Sequence, residues 1–158
     1  MNPDLDLTLQ RIIRAPRAAV WHAWTDPAKL AQWWLPAPAR CQVDRLDPRP
    51  GGAFVTRMSD ADGTFVPHLD ACFLVVDELE RIVFTNALTS TWRPATPAPV
   101  AMTATITLTD HPDGTDYQIL VQHGDPESRA HHEKLGFADG WGLVTAQLAA
   151  VAEDLAAR

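Results

Sequence analysis

The adjacent residues His131, His132 and Glu133 lie in the stretch Ser128–Gly142, SRAHHEKLGFADGWG, and are the first candidates for chemistry in this chain. Imidazole nitrogens beside a carboxylate can bind a divalent cation or shuttle protons. Neighbouring residues on a helix, however, project about 100° apart, whereas side chains sharing one metal sit three or four positions apart. The pair therefore reads as part of a polar short helix, and no metal site is expected. His68 and Asp70 have a more suggestive spacing, because residues two apart on a strand share a face. Facing a cavity, they could act as an acid–base couple, with Arg11 as a further polar group. Cys41, Cys72 and Ser128 have no identifiable activating partner. Nucleophile elbows, phosphate-binding loops and dinucleotide fingerprints are absent, which lowers the expectation of hydrolase or redox chemistry and calls for no cofactor.

These groups must be positioned by elements that the apolar pattern outlines. Leu5, Leu7, Leu9 and Ile13 alternate with polar residues as in a half-buried strand, and Arg11 interrupts that face. Pro16 marks a helix start, and Asp26-Pro27 breaks the helical pattern and caps a second short helix. Strands are expected over Cys41–Asp47, Ala53–Met58, Thr64–Leu79 and Arg81–Leu88, with a kink at Pro67 and with Asn86 on the face of Ile82 and Phe84. Three prolines keep TSTWRPATPAPV out of a sheet, so a loop carrying Trp92 is expected there. The clearest hairpin follows, turning at DHPDG. Phe137, Trp141, Val144, Leu148, Val151 and Leu155 then recur at helical spacing, forming the stripe of a long C-terminal helix. Gly140 and Gly142, flanking Trp141, would permit close approach to a sheet.

Composition bounds the class. The 158 residues, 46% hydrophobic, fit one domain able to bury about two thirds of its unfolded surface. A net charge of −7 without a basic run argues against a nucleic-acid partner. No leader pattern or membrane-length apolar stretch is present, and two cysteines without CxxC spacing suggest a reduced, cytoplasmic setting. Arginine in large excess over lysine hints at a GC-rich bacterial genome. Six tryptophans supply large rigid surfaces, and those of the first helices, if exposed, would favour a homodimer.

Taken together, RIIRAPRAAVWHAWTDPAKLAQWW, the Gly51–Phe54 segment, LERIVFTNAL and HHEKLGFADGWGLVTAQL resemble the SRPBCC superfamily, also called START or birch-pollen-allergen-like. Within it the chain is most similar to the family named for homology to the activator of the heat-shock-protein-90 ATPase, over nearly its whole length. The resemblance implies an α+β helix-grip fold, with six or seven antiparallel strands curved around the final helix and two short helices after the first strand. It also implies a cavity between that helix and the sheet. The elements expected around it carry Trp33, Trp34, Phe54, Phe84, Trp141 and Val144 as an apolar lining, with His68, Asn86 and Gln118 as orienting polar groups and Trp92 near the mouth. Three readings stay open. The first is binding of a hydrophobic small molecule, the second is cyclase- or aromatase-like catalysis using His68, Asp70 or Arg11, and the third is a chaperone-linked interaction module.

Overall fold

Alternating apolar and polar residues draw seven segments of the chain into one antiparallel sheet, which the computed structural model describes together with every other residue from Met1 to Arg158. The first strand, β1 (Asp6–Ile13), leads into α1 (Arg17–Thr25) and α2 (Pro27–Leu30). Next come β2 (Cys41–Leu46), β3 (Ala53–Ser59), β4 (Phe65–Asp77) and β5 (Arg81–Thr85). A small ribbon of β6 (Leu88–Thr89) and β7 (Arg93–Pro94) precedes β8 (Thr103–His111), β9 (Gly114–Gln122), α3 (Pro126–Lys134) and α4 (Phe137–Ala156). The seven long strands form a single sheet in the order β1-β9-β8-β5-β4-β3-β2, every pair antiparallel.

Local chemistry explains the boundaries. Pro16 stands at the N-cap of α1, where its missing N–H costs nothing, and the Asp26 carboxylate accepts from Ala28 N at 2.9 Å to start α2. Register shifts in β2–β3, β3–β4 and β4–β5 are bulges, and they bend the sheet around α4. The strand expected over Arg81–Leu88 stops at Thr85. There the Thr85 hydroxyl donates to Met102 O, and the Asn86 side chain turns to the following loop instead of the ladder. The proline-rich segment is a loop, but Pro94 does sit in the two-residue ribbon, an edge where no N–H is required. At Gly52 an added Cβ would stand 1.9 Å from Asp47 O, so only glycine permits this turn between β2 and β3.

The interior is aromatic. Trp24, Trp33, Phe54, Phe73 and Phe84 are each no more than 2% exposed. Trp24 and Trp33 meet edge to face at 4.9 Å, and Phe54 stacks on Phe73 at 5.2 Å. Trp24 Nε1 donates to the buried Tyr117 hydroxyl at 3.0 Å, and Trp33 Nε1 donates to Ala23 O at 2.9 Å. The tryptophans of the first helices thus face inward, with only Trp21 half-buried. On α4 the most buried face runs through Phe137, Thr145, Leu148, Ala149 and Ala152. Trp141, Val144, Val151 and Leu155 lie on its partly buried flank, because the small Thr145, Ala149 and Ala152 let the helix approach its neighbours more closely on the other side. No single helix is long and apolar enough to cross a membrane.

Candidate functional site

The partly buried flank of α4 is where the helix and the sheet separate. A cavity of about 310 Å³ opens there, with 17 residues in its wall, ten of them hydrophobic. Phe137, Gly140, Trp141 and Val144 form the helical side, continued by His132 of α3 and by the α3–α4 junction at Leu135 and Gly136. Trp34, Leu35 and Pro36 form a second side, and His68 and Leu69 of β4 a third. The last is the loop through Ala98, Pro99, Val100 and Met102. Leu135, 55% exposed, marks the opening. A more polar cavity of about 550 Å³ adjoins it, sharing His68, Leu69, Asn86 and Ala98 and including Asp44, Arg57 and Asp70.

Two amides hold these walls. Gln147 of α4 donates through Nε2 to Trp33 O and Leu35 O at 3.0 and 2.7 Å, and its Oε1 accepts from Ala37 N at 2.9 Å. This ties the segment carrying Trp34 to the final helix. Asn86 donates to Val100 O at 2.9 Å and accepts from Met102 N at 2.8 Å, fixing the loop opposite. With both ends of its amide committed to backbone, Asn86 is a clamp for the wall more than a group free to orient a ligand.

The structure brings together Trp34, His68, Asn86, Trp141 and Val144 of the expected lining. It separates the others. Trp33, Phe54 and Phe84 are core, packed behind the cavity wall. Gln118 is exposed on the outer face of the sheet, where its Nε2 donates to Asp116 Oδ2 at 3.2 Å. Trp92, half exposed, covers Gly51 in the β2–β3 turn and contributes to neither cavity. Arg11 pairs with Tyr117 in the ladder but is exposed on the edge strand, away from both cavities. His68 and Asp70 both border the more polar cavity, but only His68 reaches the apolar one. The bulge between Thr56 and Arg57 makes His68 the extra residue of β4, and its Nδ1 lies 3.1 Å from the hydroxyl of the buried Thr56. Asp70 lies between the inward, buried Leu69 and Ala71 and therefore points outward beside Val55. Part of the His68 ring remains in solvent, while desolvation by the surrounding wall holds its pKa below the ordinary value.

His131 and His132 diverge as their adjacency requires: His131 is exposed and His132 turns to the cavity. His132 finds another partner, however. Its Nδ1 lies 2.8 Å from Nε2 of His123, which stands just past β9, and His123 Nδ1 lies 2.8 Å from Leu5 O. Desolvation, with the neighbouring His123 and His131, lowers the His132 pKa to about 4, so its ring is neutral at pH 7. His123 escaped the sequence reading because no local spacing relates it to Leu5, 118 positions away, or to His132 across a loop. No three His, Cys, Asp or Glu side chains converge as a metal-binding group.

The expected role of Gly140 and Gly142 also changes. A Cβ at either position would meet nothing within 4 Å, so neither glycine serves close packing, and Gly140 faces open space in the cavity wall.

Comparison with known proteins agrees with this architecture. The sequence profile of the family described as "Activator of Hsp90 ATPase homolog 1-like protein" matches residues 14–153. A crystal structure of a protein from Nitrosomonas europaea is 37% identical, with all of each chain covered and a TM-score of 0.89. One from Chromobacterium violaceum is 28% identical over 94% of this chain and 98% of its own, with a TM-score of 0.72. The solution structure of the AHSA1-like protein from Aeromonas hydrophila, 19% identical over 96% of this chain and 94% of its own, shares the fold at a TM-score of 0.68. No curated protein matches the sequence significantly. With its helix-grip architecture and a profile match over most of its length, the chain belongs to the family of proteins like the homologue 1 of the Hsp90 ATPase activator, within the SRPBCC superfamily.

Proposed function

We propose that this protein binds a small apolar or aromatic molecule between α4 and the sheet. The observation that carries this reading is the mainly hydrophobic cavity of about 310 Å³. Its size falls at the lower end of the usual range for small-molecule sites, and its few polar groups are the usual means of orienting a ligand. The clamps from Gln147 and Asn86 keep the opposing walls in place without a ligand, which reduces the ordering cost of binding. Cyclase or aromatase chemistry has less support, since Arg11 lies away from both cavities and Asp70 borders only the more polar one. A role toward the chaperone ATPase named in the family description rests on kinship alone.

The test is titration with 2-methoxynaphthalene, followed by the fluorescence of the probe and by thermal stabilisation of the protein. Saturable one-site binding is expected for the native chain and none for Gly140→Leu, whose side chain would occupy the cavity. Absence of saturable binding by this probe and by its hydroxyl analogue 2-naphthol, or undiminished binding by a folded Gly140→Leu variant, would overturn the reading.

A further inference from the structure

We propose that His132, held by His123, is a ligand-binding residue offering a fixed hydrogen-bond acceptor to the cavity, which therefore takes an aromatic or apolar molecule bearing a hydroxyl group. The inference rests on the ligand-binding reading above and specifies its ligand class.

The direction of the relay follows from its anchored end. A backbone carbonyl can only accept, so the 2.8 Å contact with Leu5 O places the His123 proton on Nδ1. In the neutral ring, His123 Nε2 is then a lone pair. The 2.8 Å contact between the two imidazoles consequently needs its proton on His132 Nδ1. That leaves His132 Nε2 unprotonated. This nitrogen has no hydrogen-bond partner in the protein, and it is not sealed among other atoms as Trp34 Nε1 is. The ring lines the cavity and is fixed laterally by edge contacts with Phe137 at 5.3 Å and Trp141 at 6.3 Å. An acceptor with a set tautomer and orientation is thus part of a mainly apolar wall.

Trp34 lines the same cavity, but its indole N–H is sealed among other atoms and is not a group the cavity offers. The unused acceptor on His132 therefore sets the requirement. A hydroxyl is the simplest ligand group that answers it, since it donates one hydrogen bond. Neither a hydrocarbon nor an ether can satisfy His132.

The experiment compares 2-naphthol with its methyl ether, 2-methoxynaphthalene, on the native chain and on His132→Phe. The native chain is expected to bind the naphthol about fivefold more tightly or better, the effect of one hydrogen bond. In His132→Phe that ratio should fall to about one while the ether still binds. In parallel, ¹⁵N NMR of the native protein at pH 7 should show an unprotonated His132 Nε2 whose resonance moves with 2-naphthol and not with the ether. Equal binding of the two probes, a preference that survives His132→Phe, or a protonated Nε2 would overturn the assignment and leave the binding reading intact. Binding of neither probe would overturn both. If His132→Phe fails to fold, the native binding ratio and the NMR result decide the matter.

Discussion

Gly140 and Gly142 lie two positions apart within α4, and alanine at each separates helix propensity from cavity shape. Neither position has a neighbour within 4 Å of an added Cβ, and neither requires a positive φ. Alanine should therefore be accommodated without strain, gaining about 0.8–1.0 kcal/mol of helix propensity at each site. For a chain of this size that corresponds to a rise in Tm of about 2–4 °C. Only Gly140 belongs to the cavity wall. Its new methyl should intrude on a filled site at a cost of about 1 kcal/mol, the low end for overpacking, weakening 2-methoxynaphthalene roughly fivefold. Gly142→Ala should bind as the native chain does. Calorimetric unfolding and probe titration of the two variants provide the measurement. A drop in Tm for either would mean that α4 does approach a neighbour closely at that point, and equal weakening in both would refute the placement of the cavity at Gly140.

The remaining expectations concern the frame and the relay. Gly136 takes a left-handed φ of +96° between α3 and α4, so Gly136→Ala should lower stability by about 1–2 kcal/mol, opposite in sign to the two glycines above, as read by denaturant unfolding. Tyr117→Phe removes the acceptor for Trp24 Nε1 in the core and should cost about 1–3 kcal/mol; an unchanged unfolding midpoint would show that this contact is dispensable. Acid should destabilise the fold through His132. The unfolded chain takes up this proton near the ordinary pKa of 6.5 and the folded chain only near 4, so between those values the unfolded state holds more protons and stability falls as pH drops. Urea midpoints at pH 7, 5.5 and 4.5 should decline more steeply for the native chain than for His132→Phe, with His68 contributing a residual slope in the same direction.

Much of this protein could be read along the chain. Strand alternation from Leu5 to Ile13, the breaks at Pro16 and Asp26, the DHPDG turn and the long C-terminal stripe depend on neighbours a few residues apart, and they gave the element order and the helix-grip family. The polar character of α3 and the divergence of His131 from His132 were legible for the same reason. What failed to transfer was side-chain address. Trp33, Phe54 and Phe84 share residue type and periodicity with Trp34 and Trp141, yet the first three are core and the others cavity wall. One bulged residue in β4 brought His68 to the Thr56 hydroxyl and to the apolar cavity, which Asp70 does not reach.

The sequence by itself determined the elements, their order and the family, since caps, turns and periodicity are short-range properties of the backbone and its nearest side chains. Only the tertiary structure decided where helix and sheet part to leave a cavity. It alone linked Leu5, His123 and His132 into a relay, because one of its contacts spans 118 positions and the other joins a strand end to a helix across a loop.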